Sequence, residues 1–303
     1  MIAQMLTSLL KSVLAPRGAP APAAPAPGGA RDELLPRLEA AVADWQAGRI
    51  PAAADACRDM LAVDPDYTLA HFLLAAIELP GEEYSGVLER VHAHLRPRTY
   101  LEIGVAHGAS IRLAGPATRA IGVDPEPRIK FPLGPNVRIV AQTSDEFFAR
   151  RDVRADFGGL PVDLAFIDGM HRFEFALRDF MNIEALCTPS STVLIHDAYP
   201  LNERTAARDR VTEFWSGDIW RLVLLLRRYR PDLAVHTIAA APTGLALVTN
   251  LDPASTYLRD HLDALVAEYL AVEFGFLAGG KAEHLALVPN DWPRIRALLG
   301  ASA

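Results

Sequence analysis

Cysteine is nearly missing from this chain: only Cys57 and Cys187 occur in 303 residues. They stand far apart, in neither a metal-ligand nor a redox spacing, which excludes a disulfide scaffold and fits a reducing compartment, taken here as the cytoplasm. Positive charge is short as well. Thirty Lys and Arg stand against 37 Asp and Glu, a net charge of −7, so the whole-chain electrostatic footprint of a nucleic-acid binder is absent. The cluster Arg227, Arg228 and Arg230 reads as a solvated helix end. A long apolar run is also lacking: "MIAQMLTSLLKSVLA" is broken by Lys11 and is too short to span a bilayer, so no stable membrane insertion is expected. Nowhere does a strand lead into G-x-G-x-x-G, which removes the pyrophosphate loop of a nicotinamide dehydrogenase.

Half of the residues are hydrophobic, enough for a large core. Five stretches are expected. Residues 1–15 have apolar residues at helical spacing and read as an amphipathic segment, with membrane-surface attachment as the alternative. Residues 16–31, "PRGAPAPAAPAPGGAR", form a Pro/Ala-rich extended linker. Residues 32–84 read as paired helices with an apolar stripe at Leu34, Leu35, Leu38, Ala41, Val42 and Trp45, a break at "AGRIP", then Ala53, Ala56, Cys57, Met60 and Leu61. This unit resembles one and a half tetratricopeptide repeats, too few to stand alone, and implies packing on another domain or on a second copy of the chain. Residues 85–251 hold the main domain, and 252–303 a helical extension.

In the main domain, "TYLEIGV", "AIGVD", "VRIVAQT", "DLAFIDG" and "TVLIHDA" alternate with helical stretches, the pattern of a doubly wound α/β sheet. "DLAVHTIAA" and "GLALVTNL" follow as a hairpin, predicting an antiparallel edge on a parallel core. Most of these runs end at Gly or Asp, where open parallel sheets bind ligands. The first loop spaces Gly104 and Gly108 as G-x-x-x-G. Glu102 places a carboxylate beneath it, suited to a ligand ammonium, and Asp124 at the end of the second strand is placed to accept from ribose hydroxyls.

On Glu102, Gly104, Gly108, Asp124, Ser144 and Asp145, taken in order, residues 99–251 resemble a class I S-adenosylmethionine-dependent methyltransferase. "FIDGMHRFEFALRDF" followed by "VLIHDAYP" is similar, more narrowly, to the branch of macrocin- and mycinamicin-type sugar O-methyltransferases. The resemblance implies that Glu102, Gly104 and Gly108 hold the methionine end of S-adenosylmethionine, that Asp124 binds the ribose, and that Ser144 and Asp145 lie beside the adenine. It places Asp168 at the cofactor and the reacting centre, with His171 as general base. It further implies a divalent metal, Mg²⁺ or Mn²⁺, at Asp168, His196 and Asp197. Here the sequence departs from the family, because His196 stands where a carboxylate or amide is common; the other reading has His196 capping the strand or pairing with Asp197. Asp168 and His171 have a plainer reading too, a D-G turn and a helix cap.

The stretch after the fifth strand is long enough for a binding loop, offering Tyr199, Arg204, Arg208, Arg210 and Trp215 as acceptor contacts and Trp220 as core, ahead of a helix over 218–229. The expected activity is O-methylation of a hydroxyl on a sugar-containing, natural-product or glycan acceptor. The alternative is a non-catalytic interaction protein whose helical repeat recruits a partner and whose sheet retains a vestigial nucleoside site.

Overall fold

The structure is a computed structural model that describes residues 28–149 and 152–299. The expected segment 1–15 and most of the linker lie outside the described residues. The described residues divide into two compact units: 28–77 with Arg210–Phe214, and 78–209 with 215–299.

In the first unit, helices α1 (Gly28–Gln46) and α2 (Ile50–Val63) pack on each other across the turn at Ala47–Arg49, and α3 (Thr68–Glu78) follows. Gly48 takes φ +77°, the left-handed conformation that glycine adopts without strain after a helix end. Leu34, Leu38, Ala41, Ala53, Cys57 and Met60 are buried, whereas Leu35 stays half exposed, so the stripe is narrower than the sequence pattern. From Gly28, inside the expected linker, the described chain is helical, and the helix tolerates Pro36. Phe214 stacks on His71 at 5.1 Å and meets Phe72 edge-on, and the Glu213 amide donates to Asp66 at 2.6 Å.

The second unit is built on one eight-stranded sheet in the order β3-β2-β1-β4-β5-β7-β6-β8. Its strands are β1 (Thr99–Ile103), β2 (Arg119–Val123), β3 (Val137–Val140), β4 (Leu164–Ile167), β5 (Thr192–His196), β6 (Ala234–Ile238), β7 (Leu245–Thr249) and β8 (Leu287–Val288). The first five pair in parallel, and β7 runs antiparallel to both β5 and β6. This is the expected doubly wound, mostly parallel α/β sheet with an antiparallel edge. β1, β4 and β5 are buried throughout because both faces are covered. Alternation assigns the faces: Leu101, Ile103, Ala165, Ile167, Val193 and Ile195 meet helices α7 (Phe173–Glu184) and α8 (Trp220–Tyr229). Tyr100, Leu164, Phe166 and Leu194 face α4 (Tyr84–Leu95) on the opposite side.

The last fifty residues are less separate than the sequence reading had them. They supply β8, which pairs in parallel with β6, and Lys281 donates to Glu78 and to the carbonyls of Pro200 and Leu201. A two-residue strand is too short for period-2 alternation to reveal it. Cys57 and Cys187 are free and buried. Among the described residues, no helix is long and apolar enough to cross a membrane.

Candidate active site

Two loops meet where β1 and β4 end. Gly104, at φ +86°, donates its amide to the Val123 carbonyl, and the Asp168 amide donates to that of Ile103. A Cβ at Gly104 would lie 1.9 Å from the Asp168 carbonyl oxygen, so only glycine permits this approach. Asp124 does not project freely from β2. Its Oδ2 accepts from the amides of Val105 and Ala106 at 3.0 and 2.8 Å, and its Oδ1 from that of Glu126 at 2.8 Å, so this carboxylate shapes the glycine loop.

Glu102 is fully buried and internally satisfied, accepting from the Tyr100 and Ser110 hydroxyls at 2.6 Å each. Burial pushes its carboxyl up to about 8 against those two hydrogen bonds. Ser144 opens the short helix α5 (Ser144–Phe148), capped by a Thr143–Glu146 box. Its hydroxyl bonds to Asp179, a buried α7 carboxyl that burial raises to about 7. The neighbouring Asp145 is clamped by Arg178 at 2.9 and 2.7 Å and held below the usual carboxylate range.

The other strand ends differ. Asp168 follows β4, His196 closes β5, and Asp197 follows it. His196 Nδ1 lies 3.1 Å from Asp168 Oδ1 and 3.3 Å from Asp197 Oδ2, and its Nε2 lies 3.3 Å from the Thr243 hydroxyl. Burial would lower the His196 imidazole, but the two carboxylates outweigh it and push it up to about 10. A buried imidazolium thus balances charge between the aspartates. Asp197 is held below its usual range because His171, His196 and Thr243 outweigh its burial. Tyr84 lays its ring 4.0 Å from that of His196.

His171 Nδ1 is 3.0 Å from Asp197 Oδ2 but out of line for a hydrogen bond, and that buried nitrogen has no other partner. Its Nε2 is 3.7 Å from Asp168 Oδ1. Both His171 and Asp197 have positive φ, +56° and +60°, in the left-handed region that side chains other than Gly seldom occupy. Asp168, His171, Asp197, His196 and Asp179 line one small cleft. Asp168, His171 and Asp197 each offer a ligand atom within 4.8 Å of the others, and two oxygens with one imidazole nitrogen suit a divalent ion such as Mn²⁺. His196 faces the same carboxylates with Nδ1.

Of the loop residues, Arg208 pairs with Glu174 and reaches Asp218, and Arg210 belongs to the helical unit, donating to the Thr212 and Glu213 carbonyls. Arg204 is exposed, Tyr199 is buried beneath Lys281, and Trp215 stacks on His171. Trp220 is core, at the start of a helix that begins two residues later than expected. Tyr84, Thr243 and Asp179 were not expected at the site. Tyr84 and Thr243 are remote in sequence from His196, and only Asp179, an acid inside an apolar helical stripe, left a local signal.

Residues 101–198 match a family model described as a methyltransferase domain. No curated protein matches the chain. Among solved structures it is similar to an O-methyltransferase of Streptomyces achromogenes involved in tomaymycin synthesis, in complex with S-adenosylmethionine: 15% identity over 56% of this chain and 80% of that one, TM-score 0.41. An O-methyltransferase of Bacillus cereus, in complex with S-adenosylhomocysteine, is 13% identical over 82% of this chain and 100% of that one, TM-score 0.42. A Podospora anserina methyltransferase bound to S-adenosylhomocysteine is 14% identical over 62% and 89%, TM-score 0.42.

Proposed function

We propose that this chain is an S-adenosylmethionine-dependent O-methyltransferase acting on a hydroxyl of a sugar-containing, natural-product or glycan acceptor. One observation carries the reading: the stretch matching a methyltransferase domain runs from β1 to the end of β5, and so contains both the Glu102–Gly108 loop and the acid–histidine cluster.

Methyl transfer is an in-line displacement at a sulfonium. The acceptor oxygen bonds to the methyl carbon, the carbon–sulfur bond breaks, and S-adenosylhomocysteine leaves as a neutral thioether. An alcohol must lose its proton along the way, and an uncharged hydroxyl does not do so unaided at neutral pH. His171 takes that proton at Nε2, while Asp197, 3.0 Å from Nδ1, stabilises the imidazolium that forms. A positioned base of this kind contributes about 10²–10⁴-fold. A divalent ion held by Asp168 and Asp197 would lower the hydroxyl's own pKa. On the cofactor side, the Asp124-shaped loop approaches the methionine end and Ser144 and Asp145 flank the adenine.

The test is release of S-adenosylhomocysteine from S-adenosylmethionine across a panel of sugar glycosides and catechols, with and without EDTA. Acceptor-dependent release supports the reading. Failure of the wild-type chain to bind either nucleoside would overturn it.

A further inference from the structure

The alignment between His171 and Asp197 poses a question. The carboxylate is close, yet no in-line hydrogen bond fixes the imidazole plane. Something else must hold the ring, and the segment Trp215–Asp218 reaches it in three ways. The Trp215 indole stacks on the His171 imidazole at 5.1 Å with 11° between the planes. Its far end is tied down, Nε1 donating to the Ala207 carbonyl at 2.6 Å. Gly217, at φ +66°, passes so close that a Cβ there would lie 1.9 Å from the His171 carbonyl oxygen and 2.9 Å from its Cβ. The Asp218 amide donates to that same carbonyl at 3.3 Å, while its Oδ1 accepts from the Phe173 amide at 2.7 Å. Arg208 and Arg221 hold the other carboxylate oxygen. Backbone and ring are therefore gripped from one side by a single short segment.

We infer that Trp215 is a positioning residue for the proposed base: its indole, tied to the Ala207 carbonyl while the Gly217–Asp218 backbone fixes the His171 carbonyl, sets the imidazole plane of His171 so that Nδ1 faces Asp197 and Nε2 faces the cleft. The inference rests on the methyltransferase reading for what His171 does, but not for where it sits. A second consequence concerns the acceptor. The indole face turned to His171 is not open to substrate, so Trp215 acts through the base. The left-handed backbone at His171 has the same origin, since the Gly217 approach and the Asp218 amide fix its carbonyl.

The experiment uses the full chain labelled selectively at histidine, with resonances of His171 assigned from His171→Gln. Stacking predicts His171 ring protons displaced upfield by the indole ring current in the wild type. The displacement should persist in reduced form in Trp215→Phe and vanish in Trp215→Ala. Turnover on an acceptor from the panel should fall roughly ten- to a hundredfold in Trp215→Ala, the loss expected for a reacting group displaced by about 1 Å. Affinity for S-adenosylhomocysteine should not change, and Trp215→Phe should recover most of the rate. His171 resonances that stay in place in Trp215→Ala would overturn the inference. So would a loss shared equally by nucleoside affinity and turnover, since that marks a general structural role. If the wild type binds no S-adenosylhomocysteine but shows the ring-current displacement, the methyltransferase reading fails and the stacking stands.

Discussion

The carboxylates that follow or close β1, β2 and β3 and those that follow β4 and β5 lie at the same edge of one sheet, yet their partners differ in kind. On the first side every acid has partners within the chain: Glu102 has two hydroxyls, Asp124 three backbone amides, and Asp145 an arginine fork. On the second side two aspartates share one buried histidine, and a neighbouring histidine nitrogen lacks an aligned partner. The satisfied side has the fixed geometry that the proposed cofactor cradle requires. The unsatisfied side holds chemistry that the folded chain does not itself complete, which is where reacting groups are expected.

Removing a group from the unsatisfied side should affect the reaction most. His171→Ala is expected to lower turnover by about 10²–10⁴-fold, equivalent to about 3–5.5 kcal/mol of barrier, with nucleoside affinity within threefold of wild type. Steady-state rates beside calorimetric titration check this; an equal fall in both would merge the two sides into one. His196→Gln is next. It leaves the buried Asp197 and the half-buried Asp168 without their shared partner, and breaking a buried pair costs at most about 3–5 kcal/mol, to be read as a lowered urea midpoint. An unchanged midpoint would mean that the imidazolium is not what neutralises Asp168 and Asp197.

On the satisfied side the effects are smaller and concern binding. Asp124→Ala should weaken S-adenosylhomocysteine by about 1.5–3 kcal/mol, because the amides of Val105 and Ala106 lose the acceptor that shapes their loop. Full affinity in that variant would show that the loop holds its form without Asp124. Glu102 sharpens the comparison through pH. Its folded-state value is raised from 4.5 to about 8 by burial, so between those values the native chain holds a proton that the unfolded chain has released. Stability should therefore fall as pH rises through that window, by at most about 1.4 kcal/mol per pH unit from this group. Glu102→Gln should flatten that part of the melting-temperature profile, and an equally steep profile in the variant would assign the slope elsewhere.

How much of this was legible in the sequence follows the same division. Seven strands, the parallel core and the hairpin edge could be read because buried strands leave apolar runs and strand ends leave Gly or Asp. Asp168, His171, His196 and Asp197 could be named because each stands within a few residues of a strand end. Their relations could not. Whether Asp124 faces a ligand or its own loop depends on the path of residues 105–106, which no periodicity encodes. Tyr84 reaches His196 from a helix before the sheet begins, and Thr243 from the far hairpin. Trp215 was legible as a loop aromatic near a site, but its stacking partner was not, because that depends on the tight passage at Gly217. β8, at two residues, was too short to leave a pattern.

The central claim is that the β1–β2 side is a preformed nucleoside cradle, independent of the reacting groups across the sheet edge. Calorimetric titration of the full chain with S-adenosylhomocysteine, beside NAD as control and repeated on His171→Ala, tests it most directly. The account predicts saturable one-site binding of S-adenosylhomocysteine by both proteins with similar affinity and no heat from NAD. Absence of binding by the wild-type chain, or binding of NAD in its place, would contradict it.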